Sequence, residues 1–189
     1  VARDSVELPS QIMENWALEP ELLAVYAKHY QTGEAIPAAL VEKLEKSSLF
    51  NQGFVSAEYL AASILDMAWH TLPDPTGVDV RAFEAKVMAG IGLIPEIVPR
   101  YRSTYFSHIF SGGYAAGYYA YIWSEVLDCD AYEAFKEKGI FDRATALSFR
   151  RNILEPFGTG EPMAQYVRFR GAEPKSEPPL RKRGLETDK

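Results

Sequence analysis

One cysteine in 189 residues, Cys129, leaves no internal disulfide to be made. Covalent stapling is excluded as a source of stability, and a reducing, cytoplasmic setting fits, with a periplasmic one as second choice. Histidine is nearly as scarce, with only His29, His70 and His108. No two of them stand at His-Glu-x-x-His spacing, so a catalytic zinc with three protein ligands and an open water position cannot be built by this chain unaided. No stretch of about eighteen apolar residues occurs, and a membrane-spanning helix is not expected. Basic residues are outnumbered, 20 Lys and Arg against 26 Asp and Glu, for a net charge of -6. That balance opposes binding to a phosphate backbone, so neither nucleic acid nor membrane is an expected partner. Internal repeats and strand-length alternation are also missing, which points to an all-α fold with little or no β structure.

What is present is apolar and aromatic: 47% hydrophobic residues and 13% Phe, Trp and Tyr, the composition of a chain that buries a core. Helical spacing and punctuation predict a helix over about 5–17 with Pro9 near its first turn, and a second through Leu22, Leu23, Tyr26 and Tyr30 towards Gly33. A third opens at Pro37, a fourth runs from Phe54 to His70 before the helix-breaking LPDPTG, and a fifth covers 79–90. GLIPEIVPRYRS reads as an extended connection. A further helix is expected after Gly112-Gly113, running to about Asp128 and burying Cys129 as packing. DAYEAFKEKG adds a short helix stopped by Gly139, DRATALSFRRNIL one capped by Asp142, and EPMAQYVRFRG the last. The proline-rich, charged residues 171–189 are expected to be an extended tail.

The stretch HIFSGGYAAGYYAYIW, residues 108–123, carries the densest polar chemistry. On a helix, Tyr114, Tyr118, Tyr121 and Glu125 share one stripe, while Ala115, Tyr119, Ile122 and Val126 form an apolar one. Neutral phenols can polarise a carbonyl or stabilise an oxyanion. Such a stripe is equally consistent with amphipathic packing that leaves hydroxyls at the surface, and His108 with a structural histidine. Glu7 and Glu14 are close to one face of the first helix among Val6, Leu8, Ile12 and Trp16. They are either solvated charges or carboxylates in need of a cation.

The stretches DSVELPSQIMENW, SLFNQGF, ASILDMAWH, PRYRSTYFSHIFSGGYAAGYYAYIW and GIFDRATALSFRRNIL, with RFRGAEP and PPLRKRGL near the end, span residues 4 to 185. They resemble the zinc metallopeptidases of the thimet oligopeptidase and oligopeptidase A family, most closely its peptidyl-dipeptidase (dipeptidyl carboxypeptidase) branch. The resemblance implies that residues 1–170 are the helical C-terminal part of a catalytic domain, followed by the tail. It implies that Glu7 is the third zinc ligand and that Tyr121, with His108, donates to the oxyanion. Tyr114 would hold a peptide carbonyl, Tyr118 would contribute to substrate binding, and Gly112-Gly113 would form a mobile loop. Glu14 is not promoted to ligand, and the binder of a substrate carboxylate is left open between Arg100, Arg102 and others.

Because the chain starts at Val1-Ala2-Arg3 without an initiator Met or signal peptide, and two zinc ligands and the general base are not in it, the expectation is a fragment inactive on its own. Short peptides are the expected substrates. A homodimer through the exposed apolar face is the expected self-association. The competing reading is a non-catalytic helical module that binds peptides or a partner protein through its tyrosines.

Overall fold

The structure is a computed structural model that describes residues 1–185. Its helices are α1 (Leu8–Glu14), α2 (Pro20–Tyr26), α3 (Ala38–Ser48), α4 (Gln52–His70) and α5 (Val80–Gly90) in the first half. The rest are α6 (Ser107–Phe110), α7 (Ala120–Lys138), α8 (Arg143–Phe149), α9 (Pro162–Arg170) and α10 (Glu177–Lys182). Among the described residues the only β feature noted is an isolated bridge between Lys28 and Ala35, so the fold is all-α. The chain forms two compact units, one from Val1–Phe50 together with the residues from Ile122 onward, the other from Asn51–Tyr121.

In the first unit, α7 supplies the central stripe. Leu127, Ala131 and Phe135 recur at four-residue spacing and are buried against Ile12 of α1, Phe149 of α8 and Tyr166 of α9. Trp16 meets Tyr132 and Phe135 edge-on, with ring centroids at 4.6 and 4.9 Å, and its indole N–H donates to the Ile140 carbonyl at 2.9 Å. The buried polar groups on α7 are all paired. Tyr166 donates its hydroxyl to Asp130 at 2.7 Å, and burial together with that carboxylate pushes the phenol far up. Asp128 accepts from the Asn15 amide at 2.9 Å. Burial raises the Cys129 thiol to about 12, which makes it an inert packing group. Asp142 caps α8 by accepting the Thr145 N–H at 2.7 Å.

In the second unit, α4 and α5 pack through Ala61, Leu65 and Met88, and α5 starts at Asp79, whose carboxylate accepts the N–H groups of Arg81 and Ala82. Phe106, Ile109 and Tyr118 pack on Ala62 of α4. Two carboxylates lie inside this unit, Asp66 and Glu84. Glu84 accepts from Arg102 at 2.6 Å, from the Ser103 N–H at 2.8 Å and from the Ser103 hydroxyl at 2.9 Å. Trp69 in turn donates to the Ser103 hydroxyl at 2.9 Å, which secures the end of the connection after Pro99.

The elements depart from the sequence expectation at four places. The first helix is broken into a 3-10 turn over Arg3–Ser5, the α-helix, and a second 3-10 turn over Asn15–Leu18. The second ends at Tyr26 because Ala27 turns out of helical geometry, and Gly33, with φ +72°, sits in a tight turn closed by the Lys28–Ala35 bridge. The helix expected directly after Gly113 starts only at Ala120, then continues through Asp128 to Lys138 and absorbs the separate helix expected there. Gly139, with φ +108°, stops it. The tail is not extended throughout. Glu177–Lys182 is helical, because Arg183 pairs with Glu125 and Lys182 reaches Asn15 at 3.0 Å. Residues 186–189 of the expected tail lie outside the described residues.

Burial pushes the Glu84 carboxyl up, but Arg102 and the two Ser103 donors outweigh it and hold the folded-state pKa below the usual value. A depressed carboxylate adds stability that is present above the unfolded-state pKa and is lost as the pH falls through the folded value. Urea unfolding should therefore show stability falling as the pH drops below 4.5, the reference value of the group. Glu84→Gln should flatten part of that fall, and identical acid limbs for the two proteins would exclude the contribution.

Candidate functional site

The segment from Ser107 to Tyr121 is assembled by backbone hydrogen bonds more than by helix. The short α6 closes when the N–H groups of Ser111 and Gly112 both donate to the Ser107 carbonyl, at 2.7 and 2.8 Å, and Tyr114 N–H donates to the His108 carbonyl at 3.0 Å. Gly112 lies directly on the His108 backbone. A Cβ there would stand 2.8 Å from the His108 oxygen, so the position has no room for a side chain. Gly113 has φ +80°, the left-handed region open to glycine. Two turns follow, with Gly117 N–H on the Tyr114 carbonyl at 2.8 Å and Ala120 N–H on the Gly117 carbonyl at 3.0 Å. Asp66, reaching over from α4, accepts the N–H groups of Ala116 at 2.9 Å and Tyr118 at 2.8 Å.

These turns gather the aromatic polar groups into one cluster. The rings of Tyr114 and Tyr121 stack with centroids 5.2 Å apart and planes 17° from parallel. His108 lies 6.0 Å from Tyr114, 5.9 Å from Tyr118 and 5.6 Å from Tyr101, ring to ring. Tyr118 is the buried centre. It meets Phe106 edge-on at 4.9 Å and Tyr121 at 5.4 Å, while the Tyr59 hydroxyl donates to its carbonyl at 2.5 Å. Burial pushes the Tyr118 phenol up to about 12, against a lowering by Arg100. With only 3% of its surface exposed, Tyr118 is a supporting wall, whereas His108, Tyr114 and Tyr121 are half-buried and offer polar edges to solvent.

Four of the residues singled out from the sequence, His108, Tyr114, Tyr118 and Tyr121, are thus brought together, although not by the helical stripe that suggested them. Glu125, the fourth member of that stripe, belongs to the first unit, where it pairs with Arg183. Glu7 is half-buried just before α1, where the Ser10 hydroxyl donates to its carbonyl at 3.0 Å and its carboxylate at 3.3 Å. Glu14 is exposed on the last turn of α1. Arg102 is engaged by Glu84, and Arg100 lies over the Tyr101 ring at 5.7 Å.

Sequence reasoning did not single out Asp66, Tyr59 or Tyr101. Asp66 does leave a signal, an acid inside an apolar helix one turn before His70, whose Nδ1 stands 2.8 Å from its carboxylate. Among the described residues, no group of three or more His, Cys, Asp or Glu side chains could hold a metal ion. Glu7 is the right donor type for one zinc position, and the residues present do not complete a site.

The profile of Peptidase family M3 matches residues 1–185. The chain is 46% identical over 185 residues to the dipeptidyl carboxypeptidase of Escherichia coli (strain K12), which covers 97% of this chain and 27% of that protein. It is 40% identical over 183 residues to the oligopeptidase A of Salmonella typhimurium, covering 96% and 27%. With the organellar oligopeptidase A of Arabidopsis thaliana it shares 41% over 187 residues, covering 96% and 24%. The chain therefore spans about a quarter of the length of the curated relatives it matches.

Gly112→Ala should destabilise the protein by about 1–3 kcal/mol, since the new methyl group would stand 2.8 Å from the His108 carbonyl oxygen. Gly53→Ala, where nothing lies within 4 Å of the added carbon, should be neutral or stabilising. Urea midpoints of the two variants check this, and equal midpoints would refute the close approach.

Proposed function

This chain belongs to Peptidase family M3, and on that premise we propose that it forms part of a zinc-dependent peptidase that hydrolyses short peptides and releases dipeptides from their C termini. The observation that carries the reading is the convergence of His108, Tyr114 and Tyr121 in one partly exposed cluster. The similarity to a dipeptidyl carboxypeptidase over 97% of the chain supports it.

Attack on a peptide carbonyl puts negative charge on its oxygen, and donors aimed at that oxygen lower the barrier. Phenols suit the task because they donate a hydrogen bond near neutral pH without bringing a formal charge. Tyr121, with His108, donates to the developing oxyanion. Tyr114, stacked on Tyr121, holds a neighbouring backbone carbonyl of the peptide. Tyr118 contributes from behind, as the wall against which His108 and Tyr121 pack. Gly112 and Gly113 form the loop that closes over the bound peptide.

Glu7 is one zinc ligand in this reading. The remaining ligands, and the base that takes the proton from water, come from outside these 189 residues, so the chain by itself is inactive. A cytoplasmic setting accompanies the assignment. Self-association through exposed apolar residues such as Leu40 and Leu44 of α3 accompanies isolation of the chain.

In the whole protein, Tyr121→Phe should lower kcat on a short peptide with a free C terminus by about 10²–10³-fold while KM changes little. A kcat equal to that of the unsubstituted protein would remove the donor role from Tyr121. Isothermal titration of the same peptide against this chain should give neither hydrolysis nor clear binding; clear binding without hydrolysis would favour a non-catalytic peptide-binding module instead.

A further inference from the structure

Asp66 has none of its surface exposed, and its carboxylate spends its acceptor capacity on the turn that carries the tyrosines. Oδ1 takes the Ala116 N–H at 2.9 Å and Oδ2 the Tyr118 N–H at 2.8 Å, while His70 Nδ1 stands 2.8 Å from Oδ1. A buried carboxylate without such donors is strongly disfavoured, so the two halves of this arrangement hold each other in place. The turn is not what the local sequence prefers. Ala116 has φ +50°, a conformation that costs an L-residue with a side chain, and the stretch has helical composition.

The geometry of the donor pair follows from that turn. Were residues 114–121 a continuous helix, Tyr114 and Tyr121 would be displaced by about 10 Å along its axis, seven residues at about 1.5 Å each. Their rings in fact lie 5.2 Å apart, centroid to centroid. Residues 114–119 leave helical geometry where Asp66 captures the N–H groups of Ala116 and Tyr118.

We propose that Asp66 is a positioning residue for peptide hydrolysis: by holding the backbone of Ala116 and Tyr118 it sets the spacing of the Tyr114 and Tyr121 hydroxyls that meet the substrate. The inference rests on the assignment of Tyr121 as an oxyanion donor. Asp66 itself touches no substrate. Asn at this position keeps the shape, but its amide group presents donors of its own to one of the two backbone N–H groups, so one hydrogen bond is lost and the turn is released.

The test is a double-mutant cycle in the whole protein with a short peptide substrate, using Asp66→Asn, Tyr121→Phe and the pair. Asp66→Asn should lower kcat by about 10²-fold, the scale of a misplacement near 1 Å, with a smaller change in KM and with folding verified by circular dichroism. In the Tyr121→Phe background the same substitution should lower kcat by much less than about 10²-fold, because the oxyanion donor is gone and only Tyr114 is left to be misplaced. Equal losses in both backgrounds, or an unchanged kcat for Asp66→Asn, would overturn the positioning role. An unchanged kcat for Tyr121→Phe alone would instead overturn the donor assignment beneath it.

Should Asp66→Asn fail to fold, amide hydrogen exchange in the unsubstituted protein tests the capture of the turn on which the inference rests. The Ala116 and Tyr118 amides should exchange more than about 10-fold slower than those of the exposed Ala115 and Tyr119. Equal rates would overturn the inference.

Discussion

A carboxylate removed from water must be given donors or a cation, and in the unit formed by Asn51–Tyr121 that requirement dictates the path of the chain. Asp66 on α4 and Glu84 on α5 are both buried among apolar residues. Each is satisfied by donors of the same long connection, Glu84 by Arg102 and by the N–H and hydroxyl of Ser103, and Asp66 by the N–H groups of Ala116 and Tyr118 near its end. The two helices provide a frame, and the two acids fasten both ends of the segment that bears His108, Tyr114 and Tyr118.

The unit built on α7 solves the same problem with side chains. Asp128 and Asp130, both on that helix, are met by Asn15, by Tyr166 and by Arg170, whose Nε lies 3.4 Å from the Asp130 carboxylate, with Lys182 3.7 Å from Asp128. These pairings draw the first helix and the C-terminal residues onto α7. They also account for the helical turn in a segment whose prolines and charges predict an extended tail. The two units differ in this respect: side-chain pairs lock elements together in one, while in the other the backbone capture by Asp66 shapes a turn.

Much of this was legible residue by residue. Asp142 reads as an N-cap and caps α8, Pro37 reads as a helix opening and stands directly before α3, and Gly139 stops α7 in the left-handed region. Each of these signals acts over one turn of chain, which is the range at which composition decides conformation. His108, Tyr114 and Tyr121 were also legible, as polar aromatic residues gathered in one short stretch of sequence. Their arrangement was not, because a helical wheel assumes a helix, and residues 114–119 leave it when Asp66 takes two of their N–H groups. An acid in ASILDMAWH gives no hint of which N–H groups, fifty residues away, will answer it.

By itself, then, the sequence determined the all-α class, most helix ends, the inert cysteine and the membership in a peptidase family, since these depend on local propensity and on residue identity. Only the tertiary structure decided that Tyr118 is a buried wall and that Tyr114 and Tyr121 stack. The same holds for the tail, which folds back where Arg183 reaches Glu125. The physical reason is common to all three. Each outcome is set by burial or by a polar group seeking a partner across a long stretch of chain, and the strength of such a pairing depends on the low-dielectric surroundings that exist only after folding.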